Sequence, residues 1–546
     1  MLKKSMLLWA LACFCLLTAF SPKTEPDQRP KLVVGIVVDQ MRQEYLLRFY
    51  DQFGEGGFKR LMNRGFMARN GHYNYIPTYT GPGHASVYTG TTPATHGVIA
   101  NDWYSRELKR TVYCAEDTSV SAVGGSEKAG KISPKNMLST TITDQLKMST
   151  QGRSKVIGIS IKDRGSALPA GHMADAAYWY DGSTGEMMTS TYYMETLPEW
   201  VQDFNRQQLP KEYLSQKWNT LLPIEEYTAS TSDDNPYEVV FNGKDTPTFP
   251  YDLKKANKGS GNYSLLSTTP FGNSLVVDFA KATLKAESLG QGENTDFLAV
   301  SFSSTDYIGH AFGAQSIELQ DTYIRLDREL EDFFNTLDEQ VGEGNYLVFL
   351  TADHAVVDVP KLLVDARMPG GYLNASKISN IINQDLVQKY GEGQWIEHTS
   401  SQIVLNHELI AEKKIMLEEV QDYVATRLMN FKGIKETYTA STMRKYEYTR
   451  GQRKLLQMGY NFQRSGDVLF TIEPGFLNSS RMQGTSHGTG YNYDTHVPIL
   501  FYGWGVKAGK SVAYHTITDI APTLSMILNI ALPDGADGQP IQELFE

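Results

Sequence analysis

Seven side chains able to ligate a metal or attack beside one are scattered along this chain, each following an apolar stretch or opening a loop. They are Asp39 after KLVVGIVV, Thr80 in PTYTGPGH, Asp306 and His310 in SSTDYIGH, Asp353 and His354 after YLVFLTA, and His487 in GTSHGTG. Carboxylates and neutral imidazoles are ligands for zinc, and a hydroxyl beside such ions can become an alkoxide nucleophile. Together they read as a two-metal enzyme that transfers a phosphoryl or similar group.

Each group also has a plainer explanation. Asp306 and His310 stand four apart, sharing one helical face or one tight turn around a single ion. Alone, such a pair is more often a surface carboxylate and a capping imidazole. Asp353-His354 alone is a strand-end turn, and His487, among Gly484, Gly488 and Gly490, reads as a flexible loop residue. Thr80 is one threonine of several in its turn, with Thr78 its rival. Joint occurrence favours chemistry, because Asp39, Asp306 and Asp353 follow three strong strand patterns.

Those strands are the elements that must position the groups. Residues 31–38, 155–161, 297–302, 346–350 and 498–502 are β-branched or aromatic and nearly continuously apolar, as central strands buried on both faces are. Ile317, Ile324, Leu330, Phe334 and Leu337 recur at helical spacing, with Ser316 placed as the N-cap. The alternation predicts an α/β sandwich with a mainly parallel central sheet. Ligands bind beyond the carboxyl ends of such strands, so Asp39, Asp306, Asp353 and His354 can meet along one edge. Residues 175–270, rich in Tyr, Trp, Asn, Ser, Thr and Pro, lack this rhythm and read as an inserted cap. Residues 360–480 read as a second insertion, with a short β region near DVLFTIEPGF.

The 546 residues suffice for one large core or two intimately joined domains, and the 41% hydrophobic and 21% charged content is that of a globular protein. A formal charge of −11 excludes a general nucleic-acid surface, so an anionic substrate needs a local positive site. Lys3 and Lys4 before MLLWALACFCLLTAF mark residues 1–20 as an export leader, too short for a comfortable membrane span. Lipidation at Cys13 or Cys15 is the weaker reading. The mature chain keeps only Cys114, which forms no internal disulfide and reads as inert. No other segment is apolar enough to cross a bilayer.

The elements VVDQMR, PTYTGPGH, ANDWY, IKDRGSALPAGH, SSTDYIGH, TADH and TDIAPTLSMIL occur in order from about residue 31 to the C-terminus. In them the chain resembles the alkaline phosphatase superfamily. More narrowly, it is similar to phosphate-irrepressible, PafA-type alkaline phosphatases with a threonine nucleophile. The resemblance implies one alkaline-phosphatase-like domain over 31–546, exported to the periplasm, with two Zn²⁺ per chain. It implies Asp306, His310 and His487 around one zinc, and Asp39, Asp353 and His354 around the other with Thr80 bridging toward it. It further implies that Asn101, Lys162 and Arg164 meet the non-bridging oxygens of a small-molecule phosphate monoester, with a phosphothreonine as intermediate. The expected protein is a monomer without an integral membrane span.

Two departures stand out. Asp353 is followed by HAVVD where a glycine after the histidine is expected, and Thr80 by GPGHAS where an Ala-Ile pair is more usual. Both bear on loop geometry and access.

Three other readings compete. Thr80-Gly81-Pro82 is like the sulfatase Cys/Ser-x-Pro element, but oxidising a threonine gives a ketone, and His84 stands where that motif has arginine. A nucleotide pyrophosphatase/phosphodiesterase would share Thr, Asn and two zincs, and Lys162 with Arg164 is the discriminator. A secreted, metal-stabilised binding protein would leave Thr80 and Asn101 without purpose.

Overall fold

Val33, Val34, Ile36, Val37 and Val38 are all fully buried, which only a strand covered on both faces allows. They belong to β1 (Leu32–Val38), in a computed structural model that describes residues 29–545. The leader read over residues 1–20, with Cys13 and Cys15, lies outside the described residues. Gly35 is required within β1, because a Cβ there would collide with Tyr88 and Phe349 packed across the strand.

The other strands of the main sheet are β2 (Phe66–His72), β3 (Ala122–Val123), β4 (Val156–Ser160), β5 (Ala176–Asp181) and β6 (Glu186–Ser190). They continue with β7 (Asp296–Phe302), β8 (Tyr346–Thr351), β9 (His496–Gly503) and β10 (Gly509–Thr516). The ten strands lie in the order β10-β2-β9-β8-β1-β7-β4-β5-β6-β3. β1 pairs in parallel with β7 and β8, β7 with β4, and β4 with β5. Register brings Val38 opposite Phe302, Val37 opposite Thr351 and Ser301 opposite Ser160, so the four carboxyl ends are level. This is the α/β, mainly parallel sheet that the apolar runs predict.

Two strands run the other way, β6, antiparallel to β5 and β3, and β9. β9, the pattern at 498–502, is antiparallel to both neighbours, β8 and β2. The chain returns to the sheet from His487, already at the carboxyl edge, and must run away from it.

The first inserted segment also begins later than its composition predicts. Residues from about 175 open with β5 and β6, which extend the main sheet, and the cap starts only after Ser190. The Tyr and Trp content taken for an irregular lobe suits a pleated, buried strand equally well. The cap is anchored to the helix Ile317–Gln340 by Trp218 Nε1, which donates to Asp321 at 2.8 Å, and by the Tyr227 hydroxyl at 2.5 Å. Ser316 caps that helix, its Oγ accepting from Leu319 N at 3.2 Å. The second segment holds a separate four-stranded sheet of Ile396–Thr399, Gln402–Leu405, Val468–Ile472 and Ile434–Thr439 with its own core around Ile382, Leu386, Trp395 and Val424. Among the described residues, no helix is long and apolar enough to cross a membrane.

Candidate active site

Three helices carry site residues at the level carboxyl edge: α1 (Thr80–Thr89), α2 (Asp163–Ala170) and α3 (Ser304–Phe312). Asp39 follows β1, Asp353 and His354 follow β8, Asp306 and His310 lie in α3 just after β7, and Lys162 and Arg164 sit at the start of α2 after β4. His487 arrives from the loop ahead of β9.

The structure brings these groups into two sets, Asp306 with His310 and His487, and Asp39 with Asp353 and His354. Within each set the ligand atoms lie within 4.8 Å of one another. His310 Nδ1 donates to Thr485 O at 2.7 Å, His487 Nδ1 to Thr78 O at 2.7 Å, and His354 Nδ1 to Ala355 O at 3.0 Å. A carbonyl only accepts, so each Nδ1 carries a proton and each Nε2 is the ring atom turned toward the carboxylates. The rings of His354 and His487 stack at 3.5 Å between centroids, joining the sets.

These donors fit metal ions. Asp39 Oδ1, Asp353 Oδ2 and His354 Nε2 are buried acceptors without a hydrogen-bond partner. Leaving such atoms unpaired is costly, and a shared divalent cation would satisfy them together. Burial lifts Asp39 to about 6, with Lys162 pulling it back and Asp306 adding to the rise. Burial and then neighbouring Asp39 drive Asp353 well above the usual carboxylate range. Burial pushes Asp306 upward too, but His310 and Lys162 outweigh it and hold that carboxyl well below its ordinary value. Burial takes His487 down to about 3 and His354 also well down, keeping both imidazoles neutral as ligation requires.

Thr80 opens α1, with Tyr79 extended before it. Gly81-Pro82-Gly83 therefore lies inside the first turn, where proline lacks no needed donor, and is not a loop leading to a helix. A Cβ on Gly83 would run into the backbone carbonyl of Asp353, so that glycine lets α1 start directly against the Asp353 loop. Thr78, the rival hydroxyl, is occupied, donating to Thr489 O at 2.9 Å. The Thr80 hydroxyl instead stands 3.5 Å from both Lys162 Nζ and Arg164 Nη2.

Asn101 Oδ1 accepts from Gly81 N at 2.8 Å, which orients its amide and leaves the amino group available as a donor. Lys162 is not an unpaired cation: its Nζ lies 2.6 Å from both Asp39 Oδ2 and Asp306 Oδ2. A buried ammonium needs such partners. Burial opposes its charge, but Asp306 and Asp39 more than offset that and raise its pKa. Arg164 Nη1 donates to the Tyr113 hydroxyl at 3.0 Å, and that hydroxyl is in turn bound to Asp163.

Three neighbours escaped the sequence reading. Gln40 donates from its backbone to Asp353 Oδ1 at 3.1 Å and from Nε2 to Asp306 Oδ1 at 2.5 Å, tying the two sets together. It does so from a left-handed backbone, φ 65°, and only because Gly309 has no Cβ to block its side chain. Its sole sequence signal is its place after Asp39. Tyr113 orients Arg164 from a hairpin strand without a motif. His84, held neutral by burial, bridges Thr80 O at 2.9 Å and Ser301 Oγ at 2.8 Å. Cys114 is fully buried, and burial raises its thiol pKa, in keeping with an inert residue.

The chain matches the type I phosphodiesterase / nucleotide pyrophosphatase family over residues 33–496. It is 48% identical to alkaline phosphatase PhoV of Synechococcus elongatus over 519 residues, 95% of this chain and 93% of that one. It is 46% identical over 547 residues, covering 100% of this chain and 99% of the other, to a Myroides odoratus protein named calcium-transporting ATPase. The crystal structure of wild-type alkaline phosphatase PafA superposes with a TM-score of 0.92 at 44% identity, covering 95% of this chain and 99% of that one. The chain thus belongs to the PafA- and PhoV-type alkaline phosphatases, within the type I phosphodiesterase / nucleotide pyrophosphatase family.

Proposed function

We propose that this protein is an alkaline phosphatase that hydrolyses phosphate monoesters to phosphate and an alcohol, with Thr80 as the nucleophile. The observation that carries the reading is the Thr80 hydroxyl at the start of α1, 3.5 Å from both Lys162 and Arg164 and beside the two ligand sets. Two zinc ions, one held by Asp306, His310 and His487 and the other by Asp39, Asp353 and His354, would supply positive charge to the attacking and leaving oxygens of an in-line displacement.

The chain's own groups perform the rest. Thr80 Oγ loses its proton to solvent and bonds to phosphorus as the bond from phosphorus to the ester oxygen breaks, and that oxygen takes up a proton from water and departs as the alcohol. Arg164, held by Tyr113, and Lys162 offset the charge on the transferring group. Asn101 donates its amino hydrogens to a non-bridging oxygen. Water then cleaves the phosphothreonine, releasing phosphate and restoring the hydroxyl.

A monoester dianion carries one charge more than a diester, and Lys162 with Arg164 reward that difference. The phosphodiesterase in the family's description is the second reading. Rates on an aryl phosphate monoester, a diester and a sulfate, measured on zinc-loaded protein, decide between them. The monoester is expected to be fastest, and a faster diester overturns the proposal. We further propose that the protein is exported to the periplasm by its leader, without a lipid anchor, and that it acts as a monomer on small-molecule esters.

A further inference from the structure

A cleft of about 560 Å³ opens beside His310, and nothing above assigns it a role. Val239 and Leu265 of the first cap, Tyr307 of α3, Leu477 at the end of the second insertion and Arg481 just after it line it. It is large enough for an aryl-sized group, and its lining is mixed, with Val239, Phe241, Leu265 and Leu477 set beside Thr268, Ser479 and Gln483. Arg481 is the one permanently charged side chain among the described lining residues. Its guanidinium is exposed and makes no ion pair among the described residues, whereas Arg42, Arg60 and Arg164 are all engaged.

The loop that carries Arg481 is built onto the site. Ser479 Oγ accepts from Arg481 N at 3.0 Å, the Tyr372 hydroxyl donates to Met482 O at 3.0 Å, and Gly484 N donates to Tyr237 O at 2.8 Å. Gly484 has a left-handed φ of 70°, and a Cβ there would collide with the backbone carbonyl of His310. Only glycine brings this loop so close to His310. The loop is therefore tied to both inserted segments and to a proposed metal ligand.

In the proposed reaction Thr80 attacks beside the set Asp39, Asp353 and His354, which leaves the set Asp306, His310 and His487 for the departing oxygen, so the alcohol's carbon skeleton extends past His310. The open space there is this cleft. A second cavity, of about 120 Å³ behind His487 and Tyr79, is far smaller and has no charged lining side chain among the described residues. We infer that the cleft beside His310 is the leaving-group subsite. It takes an aryl or other apolar body against Leu265, Tyr307 and Leu477, and an anionic substituent on that body against Arg481. The preferred class is a monoester whose alcohol itself carries a negative charge. This rests on the monoesterase reading above.

The test compares kcat/KM for methyl phosphate, phenyl phosphate and 4-carboxyphenyl phosphate in the zinc-loaded wild type and in Arg481→Glu, Arg481→Lys and Leu265→Ser. In Arg481→Glu the ratio of carboxyphenyl to phenyl ester should fall roughly fivefold or more, with the loss shrinking at high ionic strength, since an exposed charge is screened. Arg481→Lys should keep most of the ratio. Leu265→Ser should lower the ratio of phenyl to methyl ester. If the wild type turns over all three esters but these ratios stay within about twofold across the variants, Arg481 is an ordinary surface charge and the subsite is overturned. A wild type inert on all three esters would remove the monoesterase reading, and the subsite with it.

Discussion

Lys162 Nζ stands 3.5 Å from the Thr80 hydroxyl while its charge is shared with Asp39 and Asp306, each at 2.6 Å. This cation beside the proposed nucleophile is thus held by one carboxylate from each ligand set. Charge on the nucleophile, the transferring group and the ligand sets is coupled through this one side chain.

Thr80→Ala should abolish multiple turnover while leaving melting temperature and bound metal near wild type, because a small side chain is removed from a helix start. Thr80→Ser should retain substantial activity, since a hydroxyl remains. Steady-state rates with metal analysis check this. A Thr78→Ala protein that loses its rate while Thr80→Ala keeps it would move the nucleophile.

Lys162→Ala with Arg164→Ala should cut monoester kcat/KM by orders of magnitude and diester kcat/KM far less. Each charge-assisted contact to a dianion is worth roughly 2–3 kcal/mol, and the two need not add. The monoester-to-diester ratio is the readout. Metal content is measured alongside, since losing Lys162 also leaves Asp39 and Asp306 without their shared partner. An unchanged ratio would sink the role given to both cations.

His487→Ala removes one member of a three-residue set and the ring stacked on His354 at 3.5 Å. Zinc bound per chain should fall to about half, because three ligands hold a catalytic ion where two do not. Activity should fall with it. Full zinc content in the purified variant would contradict the ligand assignment.

Asp467 holds the second insertion to the hairpin that carries Asn101. It accepts from Arg106, Leu405 N and His407 at 2.8 Å each and from Gln421 at 3.2 Å. Burial raises its pKa, but His407 and Arg106 outweigh that and hold it below the ordinary value. A carboxylate depressed on folding stabilises above its unfolded pKa of about 3.9, and the stabilisation is lost as pH falls through the folded value. Asp467→Asn should therefore cost about 2–3 kcal/mol at neutral pH. The gap from wild type should narrow in acid, as the pH falls through that depressed folded value and Asp467 itself is protonated. Urea unfolding at neutral and acid pH measures it, and a gap that persists in acid would assign the loss to packing rather than charge.

Local sequence determined the strands and, through them, the first half of the site. A parallel strand buried on both faces is one continuous apolar run, and the polar residues that end it emerge at the carboxyl edge. For that reason Asp39, Asp306, Asp353 and His354 stood out jointly as strand-end residues, whereas His487 had the weakest local signal and Asn101 gained its role only through the motif resemblance. Strand direction was not legible: 498–502 is as apolar as 346–350, yet β9 runs antiparallel because the chain re-enters from the ligand edge. Aromatic residues near 176–190 read as a lobe although they continue the sheet, because Tyr and Trp serve either environment. Gln40 bridging Asp353 and Asp306, Tyr113 on Arg164, and Gly484 against His310 belong to tertiary structure alone. Each joins residues far apart in the chain through a contact set by backbone conformation or by a missing Cβ. Residue spacing carries information along the chain, and these contacts exist only once the sheet has brought its carboxyl ends level.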